Sequence, residues 1–196
     1  MTNFYTLEEP KSPWGDYSHI LIAGMSGHSE EDGELIQLER TGPYVPSISF
    51  LGAGGIVVTD AFKKLLEGSG LTGFRFRPVI KKHIVLLNWQ DWDQSVDEPP
   101  EYPEGGEPEG YILDRPHSPE TSDQMGDLWE VCLEVGAEIE RLRKPSRILL
   151  IASSWRGGDL FRAGDVLSNY VTQKAKRWFE RHAGEHVSFK SPLLKV

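Results

Sequence analysis

His182, Glu185 and His186 spell H-x-x-E-H, the spacing at which two imidazoles on one helical face hold zinc while the carboxylate activates water. That chemistry needs a helix running through both histidines and a third ligand. Gly184 predicts that the helix stops near His182, and the ten residues after His186 include no Asp, Glu, His or Cys. Structural or surface histidines are therefore expected, with an upstream ligand as the remaining route to a metal. Ser26, in Gly24-Met25-Ser26-Gly27-His28, misses the nucleophile elbow G-x-S-x-G because His28 occupies the second glycine position. A turn serine is expected there. The run Gly52-Ala53-Gly54-Gly55 precedes a strand instead of opening a helix, so it fails as a dinucleotide fingerprint. Cys132 is the only cysteine, which excludes a disulfide framework and a Cys-rich zinc site and fits a reducing compartment. It lies in an alternating strand pattern without a basic sequence neighbour and reads as a small structural residue. The residues thus assign no catalytic group, no cofactor and no metal.

The strongest charge asymmetry is elsewhere. Asp91, Asp93, Asp97, Glu98, Glu101, Glu104, Glu107 and Glu109 occur without one Lys or Arg between Asp91 and Gly110, a stretch broken by Pro99, Pro100, Pro103 and Pro108. Such a segment cannot be a stable helix. It reads either as a solvated linker or as a surface for a cationic partner, since carboxylates accept charge-assisted hydrogen bonds and their field speeds association. Trp89, Trp92, Tyr102 and Tyr111 would supply the aromatic anchors of that surface. The D-x-D at Asp91 and Asp93 lacks the ligand spacing of a calcium loop.

The elements around these residues follow from periodicity. His19–Ala23 reads as a short strand ending at Gly24, followed by a polar turn or loop over Ser26–Glu34, and Gly42–Gly55 reads as an irregular approach to a strand. Ile56–Val58 is a strand, Thr59 an N-cap, and Ala61, Phe62, Leu65 and Leu66 one face of a helix ended by Gly68 and Gly70. Phe74 and Phe76 alternate with Arg75 and Arg77 as in a half-buried strand, and His83–Trp89 continues in strand-like composition. The same order returns without a gap at an offset of 113: Val58 meets Val171, Thr59 meets Thr172, Lys63 meets Lys176, Leu65 and Leu66 meet Trp178 and Phe179, and Phe76 meets Phe189. In the second helix Ala175, Trp178, Phe179 and His182 form the expected buried face. Trp129, Val131, Leu133 and Val135 alternate with Glu130, Cys132 and Glu134 as a strand, and Arg147–Ala152 reads as a strand buried at its centre. The expected fold is α+β: two related strand–helix–strand halves on mixed or antiparallel sheet, spanning 1–90 and 126–196, joined by an acidic Pro-rich loop over 91–125.

With 196 residues, 21 Lys and Arg against 30 Asp and Glu, and a pI near 5.2, the chain is expected to bind neither nucleic acid nor an anionic membrane. The first residues hold no basic stretch followed by an apolar one, which predicts no signal peptide, and no run approaches the roughly 18 apolar residues of a membrane span. A cytoplasmic protein is expected.

The repeated segments, IVVTDAFKKLLEGSGLTGFRFRPV over Ile56–Val79 and Gly157–Pro192 with its Gly157, Asp159, Phe161, Arg162 element, resemble the immunity proteins of bacterial polymorphic-toxin systems. In that family a strand, a Ser/Thr-capped helix, a "gltg" turn and a strand ending in Pro recur. The resemblance implies a non-catalytic protein that binds a cognate toxin stoichiometrically and blocks its active site or its substrate's access. The acidic middle segment lies outside the resemblance. The alternative is a small hydrolase using zinc at His182, Glu185 and His186, or Ser26 as nucleophile. A toxin with a basic cleft is the expected partner of Trp89, Asp91, Trp92, Asp93, Asp97, Glu98, Glu101, Tyr102, Glu104, Glu107 and Glu109.

Overall fold

A computed structural model describes residues 2–28, 35–143 and 146–195. The chain begins with β1 (Phe4–Glu8), α1 (Asp16–Ala23), β2 (Met25–His28), β3 (Ile36–Gly42), β4 (Ile48–Leu51) and β5 (Gly55–Thr59). Next come α2 (Asp60–Glu67), β6 (Phe74–Pro78), β7 (Ile80–Leu86), α3 (Gly110–Leu113), α4 (Pro119–Gln124) and β8 (Leu128–Leu133). The remainder is β9 (Val135–Arg143), β10 (Ser146–Ile151), β11 (Leu160–Ala163), β12 (Asn169–Thr172), α5 (Gln173–Ala183), β13 (Ser188–Lys190) and β14 (Leu194–Lys195). The fold is α+β. No helix among the described residues is long and apolar enough to cross a membrane.

Two compact units divide the chain. The first comprises Met1–Pro10, Lys64–Phe76 and Val131–Val196; the second comprises Lys11–Lys63 and Arg77–Glu130. The first holds a seven-stranded sheet of order β13-β1-β12-β11-β9-β10-β14. Phe4, Ala137, Leu150, Phe161, Ala163 and Tyr170 form its core, with the Phe4 ring edge-on to Trp155 and Phe161 at 5.4 and 5.6 Å. The second unit holds the sheet β2-β3-β7, antiparallel then parallel. Ala23, Ile36, Leu38, Leu51, Val57, Ile84, Met125 and Leu128 form one of its apolar clusters. A further sheet has the order β4-β5-β8-β6.

The duplication is visible bond by bond. Thr59 Oγ1 accepts the Phe62 N–H at 3.3 Å and Thr172 Oγ1 accepts the Ala175 N–H at 3.3 Å, so the two threonines are equivalent N-caps. At the first helical residue, the Asp60 N–H donates to the Asp127 carbonyl and the Gln173 N–H to that of Asn3, at 3.1 and 3.0 Å. Trp129 pairs with Val58 on β5 and Tyr5 with Val171 on β12. The Trp129 indole donates to Asp60 Oδ1 at 3.2 Å and the Tyr5 hydroxyl to Gln173 Oε1 at 2.6 Å. Lys63 lies over the Trp129 ring and Lys176 over Tyr5, at 4.6 and 5.3 Å. The orders β4-β5-β8-β6 and β11-β12-β1-β13 match strand for strand, as do β2-β3-β7 and β9-β10-β14. The repeat is therefore larger than the segments aligned at offset 113.

Several expectations are corrected. His19–Ala23 belongs to α1, not a strand: Ser18, Ile20, Leu21 and Ala23 are its buried residues, and a five-residue apolar run does not separate a strand from a buried helix. Gly24 ends α1 at φ 77°, where a Cβ would meet the Glu39 carbonyl and Arg40 Cβ. Ser26–His28 pairs with β3 as a strand instead of turning; the rest of that expected loop, 29–34, lies outside the described residues. Gly42–Gly55 contains β4, all four residues buried. Ala61 and Leu65 are exposed, leaving Phe62 and Leu66 as the buried pair of α2. On α5 the buried positions are Ala175, Phe179 and Ala183, spaced by four, while His182 is exposed and Trp178 half-buried. The expected alternation over Trp129–Val135 is not seen: the buried residues of β8 are Leu128 and Val131, three apart, while Val135 starts β9 and is 51% exposed. In β10 Leu150 is buried but Ile148 is 40% exposed, because the neighbouring β14 pairs only with Leu150 and Ile151.

Candidate functional site

The acidic segment lies wholly within the second unit, so it does not run between the two units. Four prolines fix its backbone and remove donors, which leaves carbonyls in want of partners. Aromatic side chains supply them. The Trp14 indole donates to the Val96 carbonyl at 3.0 Å, the Tyr17 hydroxyl to that of Gly106 at 2.5 Å, and the Tyr111 hydroxyl to that of Glu101. The rings pack on one another: Trp14 with Trp92 at 6.0 Å, Trp92 with Tyr111 at 5.9 Å, and Tyr17 with Tyr102 at 5.4 Å. Pro99 and Pro103 are buried beside this cluster's segment. The chain from 91 to 109 is thus pinned by tertiary contacts without a helix.

Its carboxylates face outward. Asp91, Asp93, Asp97, Glu98, Glu101, Glu104 and Glu107 are exposed and Glu109 is half-buried. Asp93 accepts the Ser95 hydroxyl and N–H at 2.6 and 2.9 Å, which holds its carboxyl below the usual range. Glu98 accepts the Tyr102 hydroxyl, and this bond to the protonated phenol pushes Tyr102 up to about 12. Glu101 pairs with Arg115 at 2.6 Å, whose guanidinium lies over the Tyr111 ring at 5.7 Å. Asp91, Asp97, Glu104 and Glu107 have no side-chain partner among the described residues. The imbalance is regional: the second unit carries 7 Lys and Arg against 20 Asp and Glu, a net of −13, and the first 14 against 10, a net of +4.

The expected aromatic anchors divide by burial. Trp89 is 5% exposed and Tyr111 0%, so both support the segment from beneath and neither is presented to a partner. Trp92 is half-buried in the same cluster, and Tyr102, 45% exposed, is the one of the four that faces solvent. The supporting Trp14 and Tyr17 were not anticipated; two aromatic residues in the Pro- and Gly-punctuated stretch Pro13-Trp14-Gly15-Asp16-Tyr17 were the available signal.

The other motifs take structural places. Helix α5 ends at Ala183 and a 3₁₀ turn covers Gly184–His186. His182 packs on Trp178 at 4.6 Å, and His186 Nε2 is 3.4 Å from Glu185. Among the described residues no group of three or more His, Cys, Asp or Glu could hold a metal ion. Ser26 pairs with Leu38 in mid-strand, away from any strand-to-helix turn. Cys132 is half-buried in β8. Asp159 accepts Thr172 Oγ1 at 2.9 Å and Lys174 Nζ at 3.0 Å, so it buttresses the α5 cap. No protein-family model matches the chain, and no curated protein matches it.

Proposed function

We propose that this chain is an immunity-type binding protein that neutralises a cognate toxin by laying the carboxylates of 91–109 over a basic active-site cleft. The observation that carries the reading is the pairing of an outward carboxylate surface with a buried aromatic platform. A tethered segment loses little further conformational freedom on binding, which favours affinity. Its field steers a cationic partner, and Asp91, Asp97, Glu104 and Glu107 stand ready for Arg and Lys because none of them is paired to a side chain among the described residues. Carboxylates in a basic cleft replace the phosphates or other anions of the toxin's substrate.

In this reading the protein contributes no reacting group and acts by occlusion. Co-expression with the toxin encoded beside it, scored by growth and by co-purification at equal stoichiometry, tests the proposal. Rescue and a 1:1 complex are expected; growth arrest with no complex would refute it.

A further inference from the structure

The first unit holds a cavity of about 290 Å³ whose wall includes Glu134 and Val135, at the junction of β8 and β9, and Arg156, Gly157 and Gly158, from the loop before β11. Arg156 is held there twice: its N–H donates to the Gly136 carbonyl at 2.8 Å and its Nη2 to the Val135 carbonyl at 3.1 Å. Its Nε and Nη1 have no acceptor among the described residues. Glu134 is fixed through its backbone, its N–H donating to the Gly73 carbonyl at 3.3 Å and its carbonyl accepting the Arg162 N–H at 2.8 Å. The Glu134 carboxylate has no side-chain partner among the described residues. Gly157 and Gly158, at φ 105° and 89°, take a backbone conformation that suits glycine, and their N–H groups have no acceptor among the described residues.

One cavity thus carries both signs of charge, unpaired with each other. A lone anion is drawn to Arg156 and repelled by Glu134, and a lone cation meets the reverse, so a ligand bearing both charges is favoured over either. We infer that this cavity binds a small apolar α-amino acid in its zwitterionic form. The ligand carboxylate accepts from the Arg156 guanidinium and from the backbone N–H groups beside it. Its ammonium donates to Glu134, and Val135, 51% exposed, meets its aliphatic side chain. The volume lies at the lower end of small-molecule pockets, roughly 300 Å³, which suits one amino acid and not a longer peptide. Because both charged side chains are exposed, each contact exchanges water for ligand, and a dissociation constant of about 1 mM is expected.

The test titrates L-leucine into the isotope-labelled full chain and follows the amide resonances of Gly157 and Gly158. Saturable shifts are expected, with N-acetyl-L-leucine and L-leucine methyl ester, each lacking one of the two charges, binding about tenfold or more weakly. Arg156→Met and Glu134→Gln lose affinity to a similar degree and leave resonances remote from the cavity in place, since both side chains are exposed. Resonances unmoved by leucine at about 20 mM, well above the expected constant, would overturn the inference. So would single-charge derivatives or variants that bind as well as leucine and the unmodified chain do. The cavity lies in the first unit and residues 91–109 in the second, and no toxin enters the titration, so the outcome is independent of the proposed function.

Discussion

Asp159 and Thr172 form a relay: the threonine hydroxyl donates to Asp159 Oδ1 at 2.9 Å while accepting the Ala175 N–H at 3.3 Å. The carboxylate thereby fixes the rotamer that caps α5. At Thr59 no such acid stands among the described residues, because the residue whose carbonyl receives the threonine N–H is Ser47 there and Asp159 in the second copy.

Asp159→Ala is accordingly expected to destabilise the protein by about 1–3 kcal/mol, since it strips partners from a buried hydroxyl and from Lys174. Thr59→Ala removes a cap alone and should cost about 1 kcal/mol. Urea denaturation of the two variants checks the order; equal losses would dissolve the relay.

Tyr111→Phe keeps the ring and removes the hydroxyl that holds the Glu101 carbonyl. About 1 kcal/mol is expected from the lost bond. The diagnostic readout is local: amide exchange over 91–109 should rise while β3 and β7 stay protected. Uniform acceleration over the whole second unit would mean that the ring contact, not the carbonyl tether, orders the segment.

Much of this was legible in the residues. Periodicity, a Thr cap and glycine stops located β5, α2, β12 and α5 because each signal is local. The carboxylate run was equally plain. What escaped depends on distance along the chain. The strands beside β5 and β12 are β8 and β1; β8 follows β5 along the chain whereas β1 precedes β12, so no constant offset aligns them and sequence comparison stopped at half the repeat. The aromatic platform unites Trp14 and Tyr17 with residues some eighty positions later, a pairing no local pattern encodes. His19–Ala23 misled because apolar density without length carries no period.

The phenol of Tyr102 is raised to about 12 chiefly by its hydrogen bond to Glu98, and that of Tyr111 to about 12 chiefly by burial. A raised tyrosine pKa favours the protonated folded form, so this contribution is complete below pH 10 and is lost as pH rises through about 12. Phenolate absorbance should show both rings un-ionised near pH 11. Glu98→Gln should return Tyr102 toward its ordinary value and leave Tyr111 high; a titration unchanged by that substitution would contradict the bond.

Purified protein is expected to carry no stoichiometric zinc, because α5 ends at Ala183, between His182 and His186. Elemental analysis decides it. Zinc at one equivalent, lost on His182→Ala or His186→Ala, would restore the hydrolase alternative.

The most direct measurement of the central claim is the rate of association with the cognate toxin across a salt series. Asp91→Asn, Asp97→Asn, Glu104→Gln and Glu107→Gln are combined because these carboxylates have no side-chain partner among the described residues. Electrostatic steering predicts association slowed about tenfold or more at low salt, a flatter salt dependence, and little change in dissociation. Association rate and salt slope identical to those of the unmodified protein would contradict the account and move the docking face away from 91–109.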